Sequence, residues 1–431
     1  MKIPLRLKRE DDMSLECPTR RPRPGDPVKL LARKMNGTVS IVRTDPYTFM
    51  ARRCLGTLLA VSLVAFTVSC DKQRRSQDEE SGTNTFRTVT INNVEPRRDV
   101  TGKIIDAHDG CLQFFQGRFY LYGTAYGSND GYGMANRYRV YSSPDLGQWT
   151  FEGELLKDRP TGVYYRPCVV FNPNTRKYVL WYNWYPKKWN GQAGVAISDS
   201  PVGPFTIVNP NVPLAHSNPG DGSLFVDNDG TGYFIYTAAG EGYTVRVERL
   251  TSEYLGSTGK ASSILAAAGE APVLFRRNNT YYALCGPRCA FCPQGSEVQV
   301  FTATAPLGPF ATKPQWNINR RSEYDVPNVS TQETGGLKVP TPEGIFTLHP
   351  QNNTPIIHAT NAPTMPAQET WVATIPTPEE PAFMWMADRW GSSPDGVKGH
   401  DFQFWALLKF SPDGHILPVR NVARWYIMRA Q

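Results

Sequence analysis

Between residues 95 and 431 the apolar side chains alternate with polar ones in short runs that end at turn residues, a period that predicts strands and not helices. "GRFYLYGTAYG" at 117, "RKYVLWYNWY" at 176, "GTGYFIYTAAG" at 230, "NTYYALCGPR" at 279 and "PAFMWMADRW" at 381 are five versions of one aromatic strand. Four of them are spaced by about 50 to 60 residues, the fifth by about twice that, which is the scale of propeller blades. "YRVYSSPDLGQWTFEG", "GVAISDSPVGPFTIV" and "VQVFTATAPLGPFATK" supply companion strands, each with small polar residues, Pro and then Gly before an aromatic strand. One such unit cannot bury both faces of its sheet, so the copies must stack around an axis. The expectation is an all-β protein, a five-bladed β-propeller. A β-sandwich is the competing architecture, but sandwiches lack a phrase repeated at near-constant spacing. The Pro-, Thr- and Asn-rich stretch 311–367 is expected to be an elaborated loop inside the widened last interval.

The first hundred residues follow a different pattern. Residues 1–49 are rich in Pro, Arg and Lys without sustained periodicity and predict a basic disordered leader. "MARRCLGTLLAVSLVAFTVSC", residues 50–70, sets two arginines before roughly 17 uncharged residues, the form of a signal-peptide core or a signal anchor. A start at Met1 makes the leader a cytoplasmic tail and 54–70 a membrane anchor. A start at Met50 makes the run a cleavable signal, with Cys70 open to lipid modification although "TVSC" lacks the usual leading Leu. A buried core helix is the third reading. Residues 71–94 are expected to be a linker, and 95–431 the functional domain, secreted or membrane-anchored outside the cytoplasm.

Composition narrows the function. The +7 net charge is concentrated in the leader and the rest of the chain is close to balanced, which excludes a nucleic-acid face on the folded body. "CGPRCAFC" brings Cys285, Cys289 and Cys292 together with no fourth ligand, so one disulfide within the loop is favoured over a zinc cluster. Sequons at Asn278, Asn328 and Asn352 are compatible with export.

Three predicted blades carry an acid just ahead of an apolar strand: Asp109 in "DAHDGCLQFF", Asp221 in "GDGSLFVDNDG" and Glu270 in "GEAPVLFRRNN". Stacked repeats would turn all three toward one axis. Converging carboxylates suit inverting glycoside hydrolysis, in which a protonated acid serves the leaving oxygen and a separate carboxylate activates water. Glu270 stands beside Ala271, Pro272 and Val273, where poor solvation and a neighbouring charge favour its protonated form. An acid before a strand is also a common turn residue, and "DNDG" at 227 reads as a hairpin turn.

Taken together, "AHDGCLQFFQGRFYLYG", "YSSPDLGQWTFEG", "RPCVVFNPNTRKYVLWYNW", "DGSLFVDNDGTGYFIYT", "EAPVLFRRNNTYYAL" and "MADRWG" resemble glycoside hydrolase family 43, most closely its exo-β-1,3-galactanase and β-galactosidase branch, over about residues 100–425. The resemblance implies a monomeric, inverting five-bladed propeller acting on an oligo- or polysaccharide, with β-galactosidic or related arabinosidic or xylosidic bonds as targets. It makes Glu270 the general acid and Asp221 the residue that tunes and orients it. Two groups remain open for the base: Asp109, at the position most of the family fills with Asp, and Gln368 in "AQETWVATI", matching the branch's glutamine; a carboxylate accepts water's proton more readily than an amide. His108, Tyr126, Tyr165, Trp184, Asp388, Arg389 and Trp390 are candidate sugar contacts, with His108 also a candidate for an axial calcium ion; no other cofactor is expected. Tyr165 departs from the pattern, because the branch usually has Glu immediately before "RP". A binding-only propeller without turnover is the alternative.

Overall fold

The computed structural model describes residues 86–430 apart from 188–189, 314–315, 320–328, 331–336, 342–343, 349–355, 358–363 and 378–379, together with 31–35 and 38–42. Two units divide at residue 80. In the first, Leu31–Met35 and Thr38–Val42 form an antiparallel hairpin within the expected leader. The apolar run 50–70 lies outside the described residues. Among the described residues no helix is long and apolar enough to cross a membrane.

The second unit is a five-bladed propeller. Blades 1 to 4 are four-stranded meanders whose innermost strands are His108–Phe115, Val163–Asn172, Pro219–Val226 and Gly269–Arg277. Blade 5 has three strands, Gln368–Ile375, Ala382–Arg389 and Phe402–Leu407. Each innermost strand touches the next, and that of blade 5 touches that of blade 1, which closes the ring. The aromatic phrases are the second strands. Lys177–Tyr185 is buried at all seven interior positions because neighbouring blades cover both its faces, whereas the outer strand Thr150–Glu154 is almost wholly exposed. Hairpin chemistry is visible at Gln116–Gly117, where both residues have positive φ, as a two-residue turn between twisted strands requires.

Phe86–Asn92 was expected within the linker. It pairs antiparallel with Arg424–Ala430, joining the first and last strands of the second unit beside blade 5. Within the widened last interval two small pairs form, Val329–Ser330 with Ile356–Ile357 and Leu337–Thr341 with Gly344–Leu348.

One irregularity recurs in all five blades. Near its start every innermost strand carries one residue more than its partner, between His108 and Cys111, Tyr165 and Cys168, Pro219 and Gly222, Glu270 and Val273, and Glu369 and Trp371. Such bulges bend the strand and re-aim its side chains. At the first bulged position Asp109, Arg166 and Ala271 have φ of 45°, 49° and 54°. A non-glycine residue there carries strain of roughly 1–3 kcal/mol, which the surrounding sheet must hold in place.

Candidate active site

The five bulges ring one mouth of the channel. A cavity of about 320 Å³ opens there, walled by Asp109, Arg166, Asp221, Glu270, Gln368 and a set of aromatic residues that includes Tyr165, Phe291 and Trp390. That volume suits a small-ligand site. A larger cavity of about 540 Å³ lies at the opposite ends of the same strands, walled largely by Phe115, Phe171, Phe225, Phe275 and Phe383 with Arg276 and Arg277. It gathers no set of acids, so the smaller cavity is the candidate site.

The register refines how the three acids meet. The sequence suggested equivalent positions; in fact Glu270 is the last paired residue before its bulge, Asp109 the first bulged residue and Asp221 the second. Bulges from different blades thus present acids at staggered heights around one cavity.

Glu270 accepts a hydrogen bond from the Cys289 main-chain N–H at 2.8 Å on Oε2. Burial, followed by the negative charge of Asp221, pushes its carboxyl up to about 7, against the pull of that N–H, Arg288 and Arg166. Asp221 is half-buried; its Oδ1 pairs with Arg166 Nε at 3.0 Å and its Oδ2 accepts from the Ala271 N–H at 3.0 Å. Asp221 therefore grips the residue after Glu270 while repelling a charge on Glu270 itself. Asp109 accepts from Thr124 Oγ1 at 2.6 Å, from the Tyr126 hydroxyl and from the Arg166 N–H at 3.3 Å. Burial raises it to about 6, countered by Arg166 and the two hydroxyls. Of the two, Glu270 is the better holder of a proton and Asp109 the more readily ionised.

The remaining expected residues fall into two groups. Gln368, Tyr165 and Trp390 line the cavity. The Trp390 indole donates to Gln368 Oε1 at 2.9 Å, and the Tyr165 hydroxyl donates to the Gly131 carbonyl at 2.8 Å, so Tyr165 anchors a loop where a glutamate would offer acceptors to a sugar. His108, Tyr126, Trp184, Asp388 and Arg389 stand behind the wall and not on it. Trp184 stacks on Tyr164 and donates to the Pro210 carbonyl, and Arg389 donates to the Asn93 carbonyl. Asp388 accepts from the Asp109 N–H at 2.6 Å and from His108 Nδ1 at 3.0 Å.

His108 is fully buried. Burial alone would lower its pKa, but Asp388 and Asp106 raise it to about 9, and its second nitrogen faces the Gly399 carbonyl at 3.3 Å. Asp388 and the Gly399 carbonyl thus engage both ring nitrogens. Among the described residues no group of three His, Cys, Asp or Glu is placed to hold an ion. The "CGPRCAFC" cluster forms one disulfide, Cys289–Cys292, and Cys285 is a buried free thiol.

Several cavity residues escaped the sequence reading: Arg166, Tyr132, Tyr185, Tyr243 and Phe291. Arg166 occupies the first bulged position of blade 2 as Asp109 does in blade 1, a correspondence that only the strand pairing displays.

Fold and site together define a five-bladed propeller with a carboxylate-lined cavity at one end of its axis. The chain matches the sequence model of glycosyl hydrolases family 43 over residues 104–373, and it belongs to that family. An arabinoxylan arabinofuranohydrolase of Bacillus subtilis (strain 168) is 29% identical over 265 residues, 48% of this chain and 50% of that protein. Its counterpart in Paenibacillus polymyxa is 26% identical over 266 residues, 49% and 40% of the two chains. The chain thus spans half or less of the length of these curated relatives. Among solved structures, an exo-β-1,3-galactanase from Clostridium thermocellum superposes with a TM-score of 0.58 at 22% identity, covering 78% of this chain and 66% of that one. An exo-β-1,3-galactanase from Phanerochaete chrysosporium with β-1,3-galactotriose gives 0.59 at 20% identity, covering 80% and 71%. At these identities the likeness is one of fold.

Proposed function

We propose that this chain is an exported or membrane-anchored, monomeric glycoside hydrolase that cleaves β-galactosidic or related arabinosidic or xylosidic bonds in oligo- or polysaccharides with inversion. The observation that carries the reading is one cavity holding Glu270 raised to about 7 beside Asp109 at about 6. Protonated Glu270 gives its proton to the leaving glycosidic oxygen as the bond to the anomeric carbon breaks. Ionised Asp109 removes a proton from the water attacking the opposite face of that carbon. Asp221 keeps Glu270 protonated by like-charge repulsion, and Arg166 holds Asp221 in place. Trp390 and Phe291 offer flat apolar faces to the sugar ring. The curated relatives make arabinosides as worthwhile a substrate class as galactosides. The run 50–70 supports export.

Wild type and Glu270→Gln are compared on aryl galactosides, arabinosides and xylosides, with NMR of the first product anomer. The expected outcome is release of an inverted sugar by the wild type and a loss of about 10²-fold or more in the variant. Equal sugar binding without turnover by either protein would instead support a binding-only propeller, the reading favoured by a Tyr165 hydroxyl already committed to Gly131.

A further inference from the structure

The segment after Pro287 joins the second and third strands of blade 4, Thr280–Pro287 and Gln299–Ala303, and passes over the cavity mouth. Its ends are fixed by main-chain bonds, Arg288 N–H to the Ala268 carbonyl at 3.0 Å and Ser296 N–H to the Ala367 carbonyl at 3.1 Å. Between them Cys289, Ala290, Phe291 and Cys292 form a four-residue ring closed by the disulfide. Two members of that ring reach the chemistry directly. The Cys289 N–H donates to Glu270 Oε2 at 2.8 Å, and Phe291, held at a φ of 54°, lines the cavity with Ala290. The Phe291 ring packs edge-on against Trp390, Tyr126 and Tyr132, with centroids 5.1 to 5.5 Å apart, and Lys398 Nζ lies 3.9 Å from its centroid. Within the tip, Gly295 N–H to the Cys292 carbonyl is a main-chain bond that restrains it.

Building on the reading of Glu270 as the acid, we propose that the Cys289–Cys292 disulfide is a positioning element of this active site, holding one turn of chain so that it covers Glu270, donates to it and presents Phe291 to the substrate. A side chain at the mouth is only as well placed as the shell behind it. Opening the ring frees the tip to swing outward, and three consequences follow together. Water reaches Glu270, the donor on Oε2 is lost, and the cavity loses one aromatic wall. The groups facing Glu270 are Asp221 from blade 3, Arg166 from blade 2, Arg288 at the start of the segment, and Tyr132 and Tyr185 across the cavity. All of these lie outside the disulfide ring, and Arg288 is held by its own main-chain bond to Ala268. Burial is the largest influence on Glu270, larger than the hydrogen bond that opposes it, so exposure carries its pKa downward.

The test compares wild type with Cys292→Ser, and reads Glu270 itself by carboxyl NMR titration, with the resonance assigned through Glu270→Gln. In the variant the Glu270 midpoint is expected to fall by about one unit, and KM for an aryl glycoside to rise several-fold as kcat drops. Should Cys292→Ser fail to fold, folded wild type is treated with dithiothreitol. A dithiothreitol thiolate attacks the half-buried Cys292 sulfur, Cys289 leaves as a thiolate, and closure of the reagent's own disulfide frees Cys292, so two electrons pass to the protein. Circular dichroism checks that the fold persists, and reoxidation must restore the original midpoint. A midpoint unchanged within about 0.2 units in the open-ring protein overturns the proposal, because a disulfide that serves only stability does not move it. The titration needs no turnover. A shifted midpoint in a protein that hydrolyses nothing would uphold the positioning role while the hydrolase reading fails; hydrolysis with an unmoved midpoint does the reverse.

Discussion

At the scale of single residues, the site depends on two carboxyls displaced upward by unequal amounts in one cavity. Asp109 must be ionised to take a proton from water, so kcat/KM rises as pH passes about 6. Glu270 must hold its proton, so the same quantity falls as pH passes about 7. The profile is therefore a narrow bell with its maximum near the midpoint of the two. The variants Asp109→Asn and Gln368→Ala decide which group serves the water. If Asp109 is the base, Asp109→Asn lowers kcat/KM by about 10²-fold or more and erases the acidic limb, while Gln368→Ala keeps both limbs and chiefly raises KM by releasing Trp390. The opposite pattern in the two pH–rate profiles would move the role to Gln368. Glu270 also illustrates what a sequence discloses. Its apolar neighbours announced a depressed charge, but the Cys289 N–H that binds it lies nineteen positions away and had no local signature.

At the scale of elements, the bulge is the unit that builds the site. The second strands were legible because alternation is a local property of each run, and their aromatic phrases fall on Arg118–Ala125, Lys177–Tyr185, Gly232–Ala238, Thr280–Pro287 and Ala382–Arg389. The bulges were not, because two residues opposing one is a relation between strands that neither strand displays alone. Blade 1 shows how tight that relation is. A Cβ built on Gly110 would stand 1.8 Å from the Tyr122 carbonyl oxygen, a main-chain atom in the middle of the blade that cannot yield. Gly110→Ala is expected to cost about 1–3 kcal/mol or more in urea unfolding, and to lower kcat/KM because Asp109 is the adjoining residue. Gly117→Ala is the matched control. It adds a methyl in open space at a φ of +80°, so the cost is about 1–2 kcal/mol of backbone strain with activity unchanged. Equal activity in both variants would show that the blade 1 bulge does not set the position of Asp109.

At the scale of the whole molecule, a propeller has to join its last blade to its first, and here both termini of the described body take part. Blade 5 ends at its third strand, and the pair made by Phe86–Asn92 and Arg424–Ala430 stands beside that edge. The N-terminal member looked like linker in the sequence because its partner lies more than three hundred residues away, and one alternating run without an adjacent hairpin has no distinguishing mark. Asn93 makes the junction. Fully buried, it donates through Nδ2 to the Trp405 carbonyl at 2.9 Å and the Val422 carbonyl at 3.0 Å, and accepts from the Trp405 N–H at 2.9 Å. One amide side chain thus ties the edge strand of blade 5 to segments from both ends of the second unit. Asn93→Ala leaves the buried Trp405 N–H and the Val422 carbonyl without these partners, each costing about 1–3 kcal/mol unless water enters, while the Trp405 carbonyl keeps the Trp425 indole, so a loss of about 2–5 kcal/mol is expected in urea unfolding. Asn93→Asp keeps the acceptor for Trp405 but loses the donor, and it buries a charge, so it should be at least as destabilising. Since blade 5 carries Gln368 and Trp390, the folded fraction of Asn93→Ala should retain its KM if closure serves stability alone. A loss below about 0.5 kcal/mol would mean that the ring is held shut by blade-to-blade packing, with the terminal strands contributing little.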